Sequence, residues 1–344
     1  MNIQQNISLL PYNTFHIAVA SKYFAEIKTE NDFSELLREE KFQSNQKLIL
    51  GGGSNILFTK NFDGIVVKNS FTGISVVKED ENYVWVKASA GEVWHQFVLW
   101  CIEKNLAGLE NLSLIPGQVG AAPMQNIGAY GVEVKDVFDK LEAIEIATGE
   151  KVNFKNAECE FGYRESVFKN KFKNQFLISS VTFRLNRIPK FNVNYGDIKM
   201  TLDEMRVNEL SIKAVGDAVI KIRSSKLPDP NVLGNAGSFF KNPVITKEEF
   251  DLFISKNPIA PNYPIHQSPN SPIKQYKIPA GWLIEQCGWK GKMVGHTGSH
   301  KSQALVLVNY GGATGNEVYQ LALEIQKSVL DKFGITISPE VNLV

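Results

Sequence analysis

Short apolar runs dominate the first half of the chain and predict strands. Lys47-Leu-Ile-Leu50 reads as one, running straight into Gly51-Gly-Gly-Ser-Asn55. Residues 64–68 and 83–87, rich in β-branched and aromatic side chains, predict two more. Val93, Phe97, Val98, Cys101 and Ile102 fall on one helical face, so an amphipathic helix is expected over 92–104. Strands return at 141–146 and 176–183. A helix is expected over 212–225, with Val215, Ala218, Val219 and Ile222 inward. It must end before Leu227-Pro228-Asp-Pro230, because a residue that precedes proline avoids helical angles. That proline pair is the first candidate domain boundary.

The rest of the pattern reads as a separate α+β unit. A proline-rich stretch covers 258–272. Pro279 starts a short helix over 280–287, closed by Gly288. Ala304-Leu-Val-Leu-Val308 predicts a buried strand. Thr314-Gly-Asn-Glu317 fits a capping box, and the helix after it turns Val318, Leu321, Ala322, Ile325 and Val329 inward before ending at Gly334. A last strand is expected over 335–337, ahead of Pro339-Glu-Val341.

Composition narrows the function classes. The chain has 344 residues, 43% hydrophobic and 21% charged, enough to bury a real core. Lysine plus arginine total 37 against 36 aspartate plus glutamate, without the basic excess of a nucleic-acid binder. Cys101, Cys159 and Cys287 are widely spaced and odd in number, which suits reduced thiols rather than a disulfide framework or a zinc site. His296 and His300 are four apart but lack an accompanying glutamate pair, and no metal site is expected. No leader-like segment and no run of about 18 apolar residues is seen, so the expectation is a cytoplasmic protein without a membrane or nucleic-acid partner.

Three loops carry candidate chemistry. Gly51-Gly-Gly-Ser-Asn55 follows a strand, and glycines let consecutive N–H groups approach an anion. It is neither a dinucleotide fingerprint nor a P-loop, and on its own it is equally a plain tight turn. The second loop, Pro116-Gly-Gln-Val-Gly-Ala-Ala-Pro-Met-Gln-Asn-Ile-Gly-Ala-Tyr-Gly131, packs small residues that would let backbone press on a flat ligand. Its Gln125, Asn126 and Tyr130 could add polar contacts, and so long and uncharged a loop suggests a ligand role. In the third, which runs from Lys226 to Pro243 and ends in Gly234-Asn-Ala-Gly-Ser-Phe-Phe-Lys-Asn-Pro243, Ser238 lies near Lys226, Lys241 and Asn242, a set suited to phosphates or a carboxylate. By residue pattern alone Ser238 is a turn serine, without a nucleophile-elbow frame. Arg164, in Phe161-Gly-Tyr-Arg-Glu-Ser, could grip a carboxylate or form a surface salt bridge. Glu340 alone reads as a solvated charge.

Taken together these motifs are specific. Asn13-Thr14-Phe15, Gly51–Asn55, Ile115-Pro-Gly-Gln-Val-Gly120, Tyr163-Arg164-Glu-Ser, Gly234–Pro243, Ala280-Gly-Trp-Leu-Ile-Glu-Gln-Cys287 and Pro339-Glu-Val341 cover nearly the whole chain. In this order they resemble the UDP-N-acetylenolpyruvoylglucosamine reductases. The tyrosine loop Val193-Asn-Tyr-Gly-Asp197 matches the type I branch.

The resemblance implies an α+β fold with two FAD-binding subdomains of the vanillyl-alcohol-oxidase type. These would be 1–69, joined by 335–344, and 70–210, with a substrate domain over 227–334. It implies a monomer that binds FAD non-covalently and uses NADPH to reduce the enolpyruvyl ether of a UDP-amino sugar for peptidoglycan. Hydride would go to C3 and a proton to C2. Gly51, Gly52, Gly53, Ser54, Asn55, Ile115, Pro116, Gly117, Gly120, Ala121, Gln125, Asn126, Gly128, Ala129, Tyr130 and Gly131 would hold FAD. Ser238 would be the proton donor, with Arg164 and Glu340 as active-site partners. Tyr163, Tyr195, Lys226 and Asn242 would hold the substrate. The chain stops four residues after Glu340, which leaves the anchoring of Glu340 open.

Two other readings remain at this point. One is an alcohol-oxidising flavoenzyme on the same fold. The other is a nucleotide-sugar-binding regulator without catalysis, disfavoured by the intact loops and by Ser238, Arg164 and Glu340.

Overall fold

The structure, a computed structural model, describes residues 2–265 and 273–344. His266 and the end of the proline-rich stretch lie outside the described residues. The chain packs as two compact units, each assembled from separate segments. The first comprises Met1–Tyr12, Val19–Ser54 and Asn61–Ser225; the second comprises Asn13–Ala18, Asn55–Lys60 and Lys226–Val344.

The first unit holds two sheets. A four-stranded sheet runs in the order Gln4–Ser8, Ala20–Ile27, Phe62–Asn69, Gln46–Leu50, and the last two pairings are parallel. Ile27, Ile65 and Val67 from its strands meet Phe33, Leu36 and Phe42 from the helices beside it, all essentially buried. The helix Glu30–Leu36 starts where Thr29 and Asp32 form a reciprocal capping box.

The second sheet is antiparallel, ordered Lys151–Lys155, Phe138–Glu145, Phe176–Asn186, Tyr83–Ser89, Ile74–Glu79. In Tyr83–Ser89 every second residue is buried, which sends Val84, Val86 and Ala88 into the core. The helix Trp94–Glu103 covers this face, and its Trp94 and Phe97 pack on Phe183 at 5.9 and 5.1 Å between ring centroids. Phe97, Val98 and Cys101 face inward as the pattern predicts. Val93 does not: it is the residue before the helix and 51% exposed. A β-region backbone at that position turns its side chain off the helical stripe.

The second unit is built on the sheet Gly234–Ser238, Val306–Asn309, Thr297–Ser299, Met293–Val294, flanked by the helices Ala280–Gln286 and Gly315–Phe333. The Thr314 capping box is present, and Val318, Leu321, Ala322, Ile325 and Val329 are buried as expected. The strand expected over 304–308 begins at Val306. The one expected over 335–337 is not a strand. Ile335 and Ile337 are buried singly, and the Ile337 carbonyl takes its hydrogen bond from the Gln326 side chain at 2.7 Å. Pro339 then makes a single antiparallel bridge to Phe240, and Asn342–Leu343 runs parallel to Ile56–Leu57.

Candidate active site

In the first unit the two glycine-rich loops lie against each other, backbone to backbone. A Cβ on Gly52 would stand 3.2 Å from the Gly117 Cα, and one on Gly117 would stand 2.9 Å from the Ser54 Oγ. Gly51 is similarly close to Gln118, whose Oε1 would be 3.1 Å from an added Cβ. Gly120 abuts Ala90 so closely that an added Cβ would come within 2.5 Å of the alanine's own. Side chains at these positions would push the loops apart, so small residues are required by packing. Gly52, Pro116, Ala121 and Gly131 remain exposed, and Ile115, Gln125, Gly128 and Ala129 partly so.

Next to this cradle sits the tight turn of Tyr163 and Arg164. Arg164 occupies the left-handed region at φ +56, uncommon for a side chain with a Cβ. Its Nη2 donates to the Gly128 carbonyl at 2.7 Å, and its guanidinium stands 5.6 Å from the centre of the Tyr163 ring. Two more bonds tie the turn to the loop. Asn126 Nδ2 donates to the Gly162 carbonyl at 3.0 Å, and Ser166 Oγ donates to the Met124 carbonyl at 2.6 Å. Asn126 is fully buried, and its Oδ1 accepts from the Lys135 N–H at 3.0 Å. Its amide thus braces the loop from within. Tyr195 is 42% exposed.

Three side chains that the sequence reading did not single out shape this region. Lys68 Nζ donates to Gln118 Oε1 at 3.3 Å, and burial lowers its pKa, with Glu26 pulling the other way. Leu114, just ahead of the second loop, is left-handed at φ +58. It is held from both sides: its N–H donates to His95 Nδ1 at 3.0 Å, and its carbonyl accepts from Arg223 Nε at 3.2 Å. Arg223 also shares a hydrogen bond with the Tyr130 side chain, so it grips both ends of the loop. Burial, then the Arg223 charge, lowers the His95 pKa and keeps Nδ1 an acceptor. No periodicity or motif points to His95 or Arg223.

The second unit carries Ser238. Its strand pairs with Val306–Asn309 but slips register between Asn235 and Ser238, with Gly237 at φ +70. Such a bulge re-aims the side chain that follows it. Asn235 Oδ1 accepts from the Gly237 N–H at 2.9 Å and fixes the bend. Asn13-Thr14-Phe15 braces the other side: Thr14 Oγ1 donates to the Asn235 carbonyl at 2.6 Å, and Asn309 Nδ2 donates to the Phe15 carbonyl at 2.8 Å. Phe239 and Phe240 are buried behind the serine.

Glu340 is fastened to the same bulge. Its N–H donates to the Phe239 carbonyl at 2.7 Å, and Lys241 N–H donates to the Ser338 carbonyl at 2.9 Å. The short C-terminus is pinned as well. The Val344 carbonyl accepts from Thr59 N–H at 2.7 Å and Thr59 Oγ1 at 2.9 Å, and Asn55 Nδ2 reaches the Glu340 carbonyl at 3.4 Å. Asn242 Oδ1 accepts from the Ala280 N–H at 2.9 Å, at the start of a helix. Lys226 is exposed at the end of the helix Ile212–Lys226.

Known proteins resemble this chain in sequence. The model of the UDP-N-acetylenolpyruvoylglucosamine reductase C-terminal domain matches residues 229–344, and that of an FAD binding domain matches residues 21–155. The Flavobacterium johnsoniae reductase of that name is 50% identical over 345 residues, covering 100% of both chains. The Amoebophilus asiaticus one is 51% identical over 344 residues, again covering 100% of both.

The chain belongs to the UDP-N-acetylenolpyruvoylglucosamine reductase family.

The family reaches further afield in sequence while keeping the fold. The UDP-N-acetylenolpyruvylglucosamine reductase structure from Thermus caldophilus superposes with a TM-score of 0.66 at 20% identity, covering 100% of this chain and 99% of that one. As a reductase of this family the chain is an FAD-dependent oxidoreductase, and the glycine cradle of the first unit fits the cofactor. Where the two loops meet, its glycines leave little room for an added Cβ. Among the described residues no helix is long and apolar enough to cross a membrane, and no metal-holding group of histidine, cysteine, aspartate or glutamate occurs.

Proposed function

We propose that this reductase saturates the enolpyruvyl group of UDP-N-acetylglucosamine enolpyruvate with NADPH, giving UDP-N-acetylmuramate for peptidoglycan in the cytoplasm, and that it works as a monomer. The residues of the two glycine loops, Gly51 to Asn55 and Ile115 to Gly131, hold FAD without a covalent bond. When bound, FAD supplies the relay that carries hydride from NADPH to C3 of the enolpyruvyl ether.

The chain's own residues manage the charge and the proton. Hydride arrival at C3 leaves negative charge on C2, spread into the carboxylate. Arg164 binds that carboxylate with its two-point fork. Glu340, in its protonated form, donates a hydrogen bond to the developing anion, since an ionised carboxylate would oppose it. Ser238 gives its proton to C2. An alcohol is a weak acid and can serve only because the carbanion is so strong a base. Lys226, Asn242, Tyr163 and Tyr195 hold the UDP-sugar or the nicotinamide phosphates.

The observation that carries this reading is the bulge of Ser238. It is fixed by Asn235 and fastened to Glu340 through the Phe239 carbonyl, so acid and carboxyl share one small scaffold. The test is the visible absorption of the purified protein. A flavin spectrum should bleach on NADPH addition and recover, without oxygen, when the enolpyruvyl substrate is added. A colourless protein, or a bleached one that the substrate does not reoxidise, would contradict the reading.

A further inference from the structure

One buried amide joins the cofactor loop to the segment that carries Tyr195. Asn111 lies in the turn Glu110–Leu112 and is 2% exposed. Its Nδ2 donates to the Tyr130 carbonyl at 3.0 Å and to the Asn192 carbonyl at 2.8 Å. Both protons of one NH₂ group thus go to main-chain oxygens of two segments remote in sequence. Asn192 answers from the other side, its Nδ2 donating to the Gly131 carbonyl at 3.0 Å.

The backbones meet closely where these bonds form. A Cβ on Gly131 would stand 2.8 Å from Asn192 Nδ2 and 3.4 Å from the Tyr195 Cβ, and one on Gly196 would stand 3.6 Å from the Tyr130 ring. Tyr130 and Val193 also pack against one apolar cluster, made by Ile198 and Leu202 with Ala218, Val219 and Ile222. The packing brings the segments together, and the two asparagines tie the backbone of one to the backbone of the other.

We propose that Asn111 is a positioning residue for the substrate step. It sets Tyr195 against the flavin loop, so that the phenol meets the UDP-sugar only where that loop is in place. The inference rests on the reading of Tyr195 as a substrate-binding residue. Asn111 itself touches neither ligand and acts through the two carbonyls it holds.

A double-mutant cycle on the flavin-loaded enzyme tests it, with Asn111→Ala, Tyr195→Phe and the pair. Tyr195→Phe should raise KM for the enolpyruvyl substrate about tenfold, the loss of one hydrogen bond to a charged group. Asn111→Ala should raise the same KM to a similar extent. Bound flavin, and its reduction rate at saturating NADPH, should stay within about twofold of wild type. The double variant should be little worse than the worse single one, because Tyr195 is already displaced. If Asn111→Ala does not fold, Asn192→Ala removes only the exposed bond and carries the same expectation. An unchanged KM, full additivity with Tyr195→Phe, or a matching loss of flavin overturns the inference. An unchanged KM in Tyr195→Phe instead overturns the underlying reading of that tyrosine.

Discussion

At the residue scale, the region around the second glycine loop depends on groups whose protonation is set by burial. His95 must accept from the Leu114 N–H, and Leu114 is held in a left-handed conformation directly before Ile115. The folded pKa of His95 is depressed from its ordinary value of about 6.5, so the unfolded chain binds that proton more readily. The stability this bond contributes is intact above about pH 6.5 and is lost as the pH falls below it. Acidification from about pH 7.5 to about pH 5.5 should therefore lower both the melting temperature and flavin retention. His95→Asn, whose amide oxygen can accept the same N–H at any pH, should flatten that part of the dependence. Equal slopes in the two proteins would show that His95 does not govern it. Ser238, Arg164 and Glu340 were legible only through their motifs. Singly, each reads as an ordinary turn serine, surface arginine or solvated glutamate. His95, Arg223 and Asn111 carry no sequence signal at all, since their roles lie in bonds to backbone groups far along the chain.

At the scale of elements, the sequence is a good guide wherever a side-chain pattern repeats with a fixed period. The helix Gly315–Phe333 illustrates this: its capping box, its five inward residues and its terminal Gly334 at φ +68 are all readable in advance. The pattern fails where backbone pairing decides. Ile335 and Ile337 alternate like a strand, but no strand partners them, and the chain's last pairing forms five residues later with Ile56–Leu57. The bulge at Ser238 is also invisible beforehand, although Gly237 hints at it. Small residues in the two glycine loops are legible as small, while the reason for each is a particular neighbour. Gly120 is the sharpest case, because an added Cβ would overlap the Ala90 side chain at 2.5 Å. Gly120→Ala should cost about 1–3 kcal/mol of stability by overpacking. It should also release flavin, seen as a lower ratio of visible to ultraviolet absorbance after purification. A variant with full flavin content and unchanged melting would mean that the second loop can shift off Ala90 without consequence.

At the scale of the whole molecule, the composition of the two compact units is the least legible feature. Residues 13–18 and 55–60 belong with the C-terminal unit, although a linear reading groups them with their neighbours. Thr14 bonds to Asn235 and Thr59 to Val344, across 221 and 285 positions, and no local periodicity encodes such pairings. The family motifs carry that information indirectly, because Asn13-Thr14-Phe15 and Pro339-Glu-Val341 keep company with the serine loop they brace. The central claim is that Ser238 protonates C2 after hydride has reached C3. Single-turnover kinetics of Ser238→Ala test it most directly. Flavin reduction by NADPH should match wild type, while reoxidation by the enolpyruvyl substrate should slow by about 10²–10⁴-fold, the usual worth of a general acid. If both half-reactions slow equally, or if reoxidation keeps its rate, Ser238 is not the proton donor.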